Sequence, residues 1–243
     1  MISIVTIHKG PYKDLLMTIE SVLLQNTPCD DYIVVASNLS IEQKNYVKLN
    51  VTKVFFDVDS SLYDAMNIGL KACQGSHVLF LNSGDVLIDF NVLSYCNNFV
   101  NDNKTIYIAP VVICLNKTCH LAPTIDRLIS GAMPGHQGFL APISIKKMYF
   151  TDTLNFWNDG EWMELYLTKY KSEVLHQPLV EFSFDGASSI PKLKNIPILM
   201  NVSYYLSIKY LIKFLMYYTL PQKIYFYILM RINGHTLWKK KCI

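Results

Sequence analysis

Acidic residues are absent from the last part of the chain. No Asp or Glu follows Asp185, whereas nine Lys and Arg residues lie between Lys192 and Lys241. Because the complete chain of 243 residues has a net charge of +3, the residues before this segment carry a net charge of −6. A charge separation this strong predicts a basic segment that contacts a partner. The segment is rich in aliphatic and aromatic residues and contains no recognition motif, which argues against nucleic acid as that partner.

The chain also lacks CxxC spacing, low-complexity segments and internal repeats. Apolar residues make up 51% of it, enough for one large α/β domain with an appendage. No basic stretch or small-residue cleavage site accompanies the apolar run at Ile2, so we expect no secretory signal. The six cysteines are Cys29, Cys73, Cys96, Cys114, Cys119 and Cys242. Several of them lie in apolar runs, and we expect these to be small core residues in a reducing cytoplasm.

Apolar runs of strand length alternate with segments of helical periodicity, which predicts a parallel, doubly wound α/β sheet. The predicted strands are Ser3–Ile7, Tyr32–Ala36, Val51–Phe56 and His77–Leu81. Two predicted helices between them are Lys13–Gln25 and Ile41–Leu49. A third predicted helix lies before the last strand, and its residues expected to face the sheet are Leu62, Met66, Gly69, Leu70 and Cys73. We expect Gly75 to end this last helix.

An Asn-Ser-Gly-Asp turn follows the fourth predicted strand and ends at Asp85. Open α/β sheets bind ligands just past the carboxyl ends of their strands, and Mg²⁺ or Mn²⁺ takes carboxylate and phosphate oxygens. The sequence therefore predicts a metal-assisted nucleotide site at Asp85. The alternative is an ordinary turn in which Gly84 adopts positive φ. Asp64 and Asn67 share one face of the preceding helix, although Asp64 also suits the start of a helix dipole.

These motifs resemble the bacterial family 2 glycosyltransferases of GT-A fold, especially those that build O-antigen and capsule repeats. The resemblance lies in Tyr63-Asp64-Ala65-Met66-Asn67 with Gly69, in Phe80 to Asp85, in SIVTIHK and TIESVLLQ near the start, and in GHQGF from Gly135 to Phe139. It covers about residues 1–190. It implies a GT-A domain there, a Rossmann-like nucleotide-binding sheet flanked by helices. Residues 191–243 carry little of the resemblance, and their composition predicts an amphipathic helical extension.

The resemblance also implies roles for particular residues. Asp85 would hold Mn²⁺ or Mg²⁺ against the diphosphate of the sugar donor, with Asn82 where many relatives carry Asp. Ser37 or Asn38 would replace the aspartate that reads the base in relatives. The residues implied in donor binding are Thr6, His8, Lys9, Ser37, Asn38, Asp59, Asp64, Asn67, Asn82, Ser83, His136 and Gln137.

Inverting glycosyl transfer needs a carboxylate that takes the proton of the acceptor hydroxyl. Relatives carry this acid at the start of a helix after the His-Gln motif, which here points to Asp159, at a natural capping position, or to Glu161. We expect the helix to run to about Tyr170. Trp157 and Trp162 flank the acids and either pack against a sugar or belong to the core. The small-residue loop from Phe184 to Ser189 either closes over the donor or is a surface turn.

The tail is apolar and aromatic over Ile196–Leu220, apart from Lys209 and Lys213 on one helical face. Burying two lysines in a bilayer costs about 2.5–3.5 kcal/mol each, so a helix in the membrane plane that lets them reach lipid phosphates is favoured over a span. We expect a peripheral anchor on the anionic cytoplasmic leaflet, with a membrane span or a homodimer surface as alternatives.

Together these features predict an inverting glycosyltransferase on the inner face of the bacterial plasma membrane. Its donor would be a nucleotide diphosphate hexose, UDP-glucose or UDP-galactose before a GDP-sugar. Its acceptor would be a sugar on undecaprenyl diphosphate, in O-antigen or capsule repeat-unit assembly. The alternative is a non-catalytic, sugar-nucleotide-binding membrane scaffold, which the missing base-reading Asp and the single acid of the metal turn favour.

Overall fold

The computed structural model describes residues 1–58, 61–115, 118–122, 134–143, 147, 149–150, 158–184, 191, 204–233 and 236–238. The chain divides into two compact units. The first comprises Met1–Val111 and Thr124–Phe182, and the second comprises Val112–Pro123 and Ser183–Ile243. This division differs from domains at 1–190 and 191–243, because residues 112–123 group with the C-terminal segment.

The first unit contains a sheet of seven strands. In chain order they are β1 (Ile2–His8), β2 (Asp31–Ala36), β3 (Lys53–Phe56), β4 (His77–Phe80), β6 (Thr105–Ile108), β9 (Phe139–Pro142) and β10 (Lys171–Val174). Their spatial order is β10-β6-β9-β4-β1-β2-β3. Two short strands, β5 (Val86–Leu87) and β11 (Val180–Ser183), pair antiparallel beside it.

Five helices belong to the first unit: α1 (Tyr12–Leu23), α2 (Ile41–Asn50), α3 (Leu62–Ala72), α4 (Val92–Phe99) and α5 (Asn158–Leu167). Strands β1 to β4 are parallel, which confirms the predicted α/β alternation. The expectation of a wholly parallel sheet is wrong, because β9 runs antiparallel to both β4 and β6. Apolar periodicity identifies a strand but carries no information about its direction.

Helix α3 lies close against the sheet because Gly69 has no side chain. A Cβ atom at Gly69 would clash with the side chain of Val5 in β1. Two details differ from the prediction. Leu62 is exposed, and Tyr63 is buried in its place. The helix ends at Ala72, and Gly75 instead packs against Ser3, where a Cβ would lie 2.7 Å from the backbone nitrogen.

Aromatic rings fill the core between the sheet and α5. Trp162 is buried and stacks on Phe150, with 4.6 Å between the ring centroids. Its ring also meets Phe80, Phe139 and Tyr166 edge-on. Trp162 is therefore a core residue, while Trp157 lies outside the described residues.

A buried carboxylate joins the amino-terminal ends of three strands. Asp31 accepts hydrogen bonds from Ser3 Oγ at 2.5 Å, from Lys53 Nζ at 2.8 Å and from the Gln74 amide at 2.6 Å. Burial by itself would raise the pKa of the Asp31 carboxyl, but Lys53, Ser3 and the Gln74 amide outweigh it and hold that pKa below its usual value.

Replacing Asp31 by asparagine is expected to lower the free energy of unfolding by about 2 kcal/mol at neutral pH, because the partly buried ammonium of Lys53 loses its counter-charge. Because the pKa of the Asp31 carboxyl is lower in the folded protein, the ionised carboxylate stabilises the fold at pH values above the unfolded-state pKa of about 4. This stabilisation is lost as the solution becomes more acidic. The difference between the proteins should therefore shrink in acid. Urea unfolding at several pH values measures it.

Asp57→Asn is the matched control for this prediction, since Asp57 pairs with Lys44 at 2.6 Å but is exposed. Solvent screens such a pair, and little change is expected. If Asp31→Asn destabilises the protein no more than Asp57→Asn does, the buried hydrogen bonds of Asp31 do not stabilise the fold, which contradicts the prediction.

The second unit contains β7 (Val111–Leu115), β8 (Thr118–Leu121), β12 (Thr236–Trp238), α6 (Tyr204–Thr219) and α7 (Gln222–Ile232). Strand β8 pairs antiparallel with both β7 and β12. The expectation of free core cysteines is confirmed for Cys73 and Cys96, which are free and buried, but Cys114 and Cys119 instead form a disulfide across the hairpin. Among the described helices, none has both the length and the apolarity needed to cross a bilayer.

Candidate active site

The turn after β4 is held in place by the first helix. Asp85 N donates to the Asn82 carbonyl at 2.9 Å, and Gly84 has φ of +98°, the conformation that the alternative of an ordinary turn predicts. The Thr18 hydroxyl of α1 donates to the Asp85 carbonyl at 2.7 Å and accepts from Gly84 N at 3.0 Å. The backbone of the turn is thereby fixed, and the Asp85 side chain is buried beside it.

His8 supports the same turn from the end of β1. Its Nδ1 lies 2.8 Å from Ser83 Oγ, and Ser83 N donates to the Ile7 carbonyl at 3.1 Å. Burial lowers the pKa of His8, against an opposing effect of the Asp14 carboxylate. His8 is therefore a neutral residue behind the turn, in contact with Ser83.

His136 connects this turn to helix α5. Its Nε2 lies 3.1 Å from Asn82 Nδ2, and its Nδ1 lies 3.2 Å from Asp159 Oδ2. An amide nitrogen can only donate, so in this arrangement Nε2 accepts and the ring proton on Nδ1 is donated to Asp159. The three residues come from distant parts of the sequence and form one continuous polar chain.

The charges around His136 shift two pKa values in opposite directions. Burial would lower the pKa of His136, but the Asp159 carboxylate, with a smaller effect of Asp85, raises it above its usual value. Burial would raise the pKa of Asp159, but His136 and the Gly160 amide hold it below its usual value. A protonated His136 ring requires the Asn82 amide to turn, so that its oxygen accepts from Nε2.

Helix α5 begins at Asn158, so Asp159 occupies its second position and not the predicted capping position. The helix ends at Leu167, short of the predicted end at about Tyr170. Its Oδ1 accepts from Gly160 N at 3.0 Å. Glu161 lies in the same first turn and is half-buried. The described contacts join Asp159, and not Glu161, to His136.

Two predicted donor residues make internal contacts. Thr6 is buried within β1, with its hydroxyl 3.1 Å from the Tyr32 hydroxyl. The Asn67 amide donates to the Phe150 carbonyl at 3.0 Å and accepts from Phe150 N at 2.8 Å. Asn67 therefore fixes the backbone at Phe150, a role that sequence spacing did not indicate.

Several other predicted residues follow the carboxyl ends of the parallel strands or lie in a helical turn. Ser37 is buried at the end of β2, while Asn38 and Lys9 are exposed. Asp64 is half-buried in the first turn of α3, and Gln137 is buried beside His136. Asp59 and residues 185–189 lie outside the described residues. The donor-binding roles of all these residues stay predictions.

Three residues near the site were not predicted. Asp57 follows β3 with φ of 54° and accepts from Asn38 N at 3.1 Å, so a carboxylate does reach the loop after β2. The rule that singled out Asp85, an acid directly past a strand end, would also have found Asp57. Tyr63 is buried, and its pKa is raised by burial and by the nearby Asp159 carboxylate. Thr18 begins the TIESVLLQ stretch of the resemblance, but nothing in the sequence indicated its contact with the turn.

The turn offers hard oxygen ligands of the kind that Mg²⁺ and Mn²⁺ prefer. These are the Asp85 carboxylate and the Asn82 amide oxygen, which is buried and accepts no hydrogen bond from the described residues. Within the described part of the chain, no group of three His, Cys, Asp or Glu residues with converging ligand atoms lies at this turn. The donor set fits a divalent ion whose coordination is completed by phosphate oxygens and water.

A cleft of about 340 Å³ lies at the opposite end of β2 from this turn. It is lined by Val22, Leu23, Pro28, Cys29, Tyr32, Leu49, Asn50, Val51 and Thr52, with no charged side chain among them. Burial raises the pKa of Cys29 to about 11, so its thiol is protonated at neutral pH. The cleft has no group suited to a diphosphate, and the candidate site remains at the carboxyl ends of the strands.

Solved glycosyltransferase structures share this fold. S. aureus TarS 1-349 in complex with UDP-GlcNAc matches with a TM-score of 0.58 and 16% identity, over 90% of this chain and 73% of that one. Mannosyltransferase PcManGT from Pyrobaculum calidifontis, in complex with GDP-Man and Mn²⁺, matches with a TM-score of 0.54 and 11% identity, over 81% of this chain and 59% of that one.

A further structure of TarS 1-349 matches with a TM-score of 0.56 and 16% identity, over 75% of this chain, and the matched region spans 60% of the TarS fragment. No protein-family model matches the chain, and no curated protein matches it in sequence. At these identities the likeness establishes the fold: a mixed α/β architecture of GT-A type with a central sheet flanked by helices.

Proposed function

We propose that the protein is an inverting glycosyltransferase that moves a hexose from a nucleotide diphosphate sugar to a lipid-linked sugar. One observation carries this proposal. His136 joins Asn82, in the turn that presents the Asp85 carboxylate, to Asp159 on α5. A group suited to hold a diphosphate and a group suited to take a proton are thus coupled at one edge of the sheet.

The donor is proposed to be a nucleotide sugar bound across the carboxyl ends of β1, β2 and β4. Crevices at this edge are the usual ligand sites of open α/β sheets. The matched TarS and PcManGT structures contain UDP-GlcNAc and GDP-Man, which supports this donor class. UDP-glucose and UDP-galactose are the first donors to test, followed by GDP-linked hexoses.

Asp85 and Asn82 would hold Mn²⁺ or Mg²⁺ together with the donor phosphates. The bound ion would supply charge neutralisation for the departing nucleoside diphosphate. The chain's own contribution is to fix the turn through Thr18 and Ser83, so that the ligand oxygens need no rearrangement. Metal dependence is testable without turnover, as manganese-dependent binding of UDP.

Asp159 is proposed as the general base. The acceptor hydroxyl oxygen forms a bond to the anomeric carbon while the bond from that carbon to the diphosphate oxygen breaks. The proton of the hydroxyl passes to the Asp159 carboxylate, and the bonding electrons leave with the diphosphate. Its hydrogen bonds to His136 and Gly160 orient the carboxylate and keep it ionised before the reaction.

The acceptor is proposed to be a sugar on undecaprenyl diphosphate, at the inner face of the bacterial plasma membrane, in O-antigen or capsule repeat-unit assembly. The basic C-terminal segment supports this choice, because anionic lipid headgroups attract clustered lysines.

A non-catalytic sugar-nucleotide-binding scaffold is the second candidate. The observation that favours it is the single carboxylate in the turn, which gives a metal fewer protein ligands than a pair of acids would. A scaffold would bind the nucleotide sugar without consuming it.

The experiment is a panel of nucleotide sugars incubated with the complete protein, with and without Mn²⁺ and an undecaprenyl diphosphate sugar. The expected result is release of one nucleoside diphosphate that depends on both additions, with an acceptor lengthened by one sugar. Binding of a donor with no release under any condition would favour the scaffold and contradict the transferase.

A further inference from the structure

Helix α6 exposes an apolar face. Its exposed large apolar side chains recur every three or four residues, which places them on one side of the helix. They are Ile208 (40% exposed), Leu211 (40%), Ile212 (51%), Leu215 (53%) and Tyr218 (61%), and we call this set the outward face of α6. A surface helix of a water-soluble domain normally presents polar residues to solvent, so the polarity of α6 is inverted.

The other side of α6 is covered. Tyr217 meets Tyr225 of α7 edge-on, with 5.3 Å between ring centroids. Lys213 lies off the outward face and is partly buried, and burial lowers its pKa. The expectation that Lys213 extends towards lipid phosphates stays a prediction. The outward face is the side of α6 available to a partner.

The charge of the segment distinguishes among partners. The chain has no acidic residue after Asp185, so this region is basic throughout. A second copy docked through the same face would bring two equally basic segments together, which electrostatic repulsion opposes. An anionic lipid surface has the complementary charge, and it accepts an apolar helix face at the boundary between headgroups and acyl chains.

The following helix, α7, carries exposed cations. Lys223 and Arg231 of α7 are both exposed, and Arg231 Nε donates to the Tyr227 hydroxyl at 3.1 Å. We propose that the outward face of α6 inserts in the plane of an anionic bilayer, while Lys223 and Arg231 attract lipid phosphates. This inference rests on the proposed function, because it names the surface that would bind the membrane carrying the acceptor. Vesicle binding can nevertheless be measured without turnover.

The test is co-flotation of the complete protein with vesicles of phosphatidylglycerol and phosphatidylcholine, compared with phosphatidylcholine alone. The double variant Ile212→Glu with Leu215→Glu is expected to lower the partition coefficient on the anionic vesicles about 100-fold, because two buried aliphatic side chains are lost. The matched control is Leu49→Glu, at an 85% exposed leucine of α2, which should bind as the unchanged protein does.

A second variant, Lys223→Glu with Arg231→Glu, leaves the apolar face intact and is expected to weaken binding to the anionic vesicles about 10-fold or more. If the Ile212→Glu with Leu215→Glu variant loses helical content by circular dichroism, this second variant still tests the membrane proposal.

Equal vesicle binding by the unchanged and charge-reversed proteins would overturn the proposal. So would a dimer in analytical ultracentrifugation that Ile212→Glu with Leu215→Glu separates, since the face would then be occupied by a second copy. Donor hydrolysis in vesicle-free buffer, measured on the same preparations, keeps the two proposals apart. If a variant loses flotation but keeps donor hydrolysis, the result agrees with membrane binding through the outward face of α6. If the protein floats with vesicles but shows no donor hydrolysis, the result contradicts the proposed glycosyl transfer and not the membrane proposal.

Discussion

Asp159→Asn is expected to lower the turnover number by about 100-fold to 10,000-fold while leaving nucleotide affinity nearly unchanged. An amide cannot accept the acceptor's proton, but it preserves the size of the side chain and a hydrogen bond from His136. The measurement is steady-state release of nucleoside diphosphate, with nucleotide affinity determined by calorimetry on the same protein.

Two other substitutions in α5 make this result specific. Glu164 is exposed on the same helix, so Glu164→Gln should leave turnover unchanged. Glu161→Gln tests the alternative base. If Glu161→Gln abolishes turnover and Asp159→Asn does not, the general base has been assigned to the wrong carboxylate.

The pH profile offers a related check. Asp159 must be ionised to act, and its pKa is held below the usual value by His136 and the Gly160 amide. On the acid side, kcat/KM should therefore fall at a lower pH than it would if the base were an aspartate with its usual pKa. His136→Gln removes the larger of these two influences and should move the acid limb towards higher pH.

Asp85→Asn is expected to reduce turnover by about 100-fold to 1,000-fold and to remove the manganese dependence of UDP binding. The substitution keeps the shape of the side chain and the backbone contacts to Thr18, so the turn should persist. What is lost is the charge that is proposed to hold the ion and the diphosphate. Calorimetry of UDP binding with and without Mn²⁺ separates this effect from turnover.

Asp89→Asn is the matched control, four residues further along the chain, where Asp89 is exposed and its carboxylate accepts from Asn91 N at 2.8 Å. It should bind UDP as the unchanged protein does. Undiminished manganese-dependent binding by Asp85→Asn would remove Asp85 from the metal site.

Much of the fold could be predicted from local patterns. The apolar runs that become β1, β2 and β4 and the polar segments between them indicated the α/β alternation, and the Asn-Ser-Gly-Asp signature indicated the turn with Gly84 at positive φ. The direction of β9 could not be predicted, because an apolar strand looks the same in either orientation. Leu62 was assigned to the core on spacing alone, and the helix in fact turns Tyr63 inward.

The candidate site could be predicted only in part, since its contacts join distant segments. Asp85, His136 and Asp159 were each chosen separately, but nothing local indicated that Asn82 and His136 are neighbours 54 residues apart. Thr18 resembles any helical threonine until the turn is seen to rest on its hydroxyl. Asn67 was expected to face a donor, and the fold instead places it against the Phe150 backbone.

A crystal structure of the complete protein with UDP and Mn²⁺ tests the central claim most directly. The expected result is electron density for Mn²⁺ and the diphosphate beside the Asp85 carboxylate, with the nucleoside towards the ends of β1 and β2. Nucleotide bound elsewhere, such as in the cleft beside Cys29 and Tyr32, with no ion at Asp85, would contradict it.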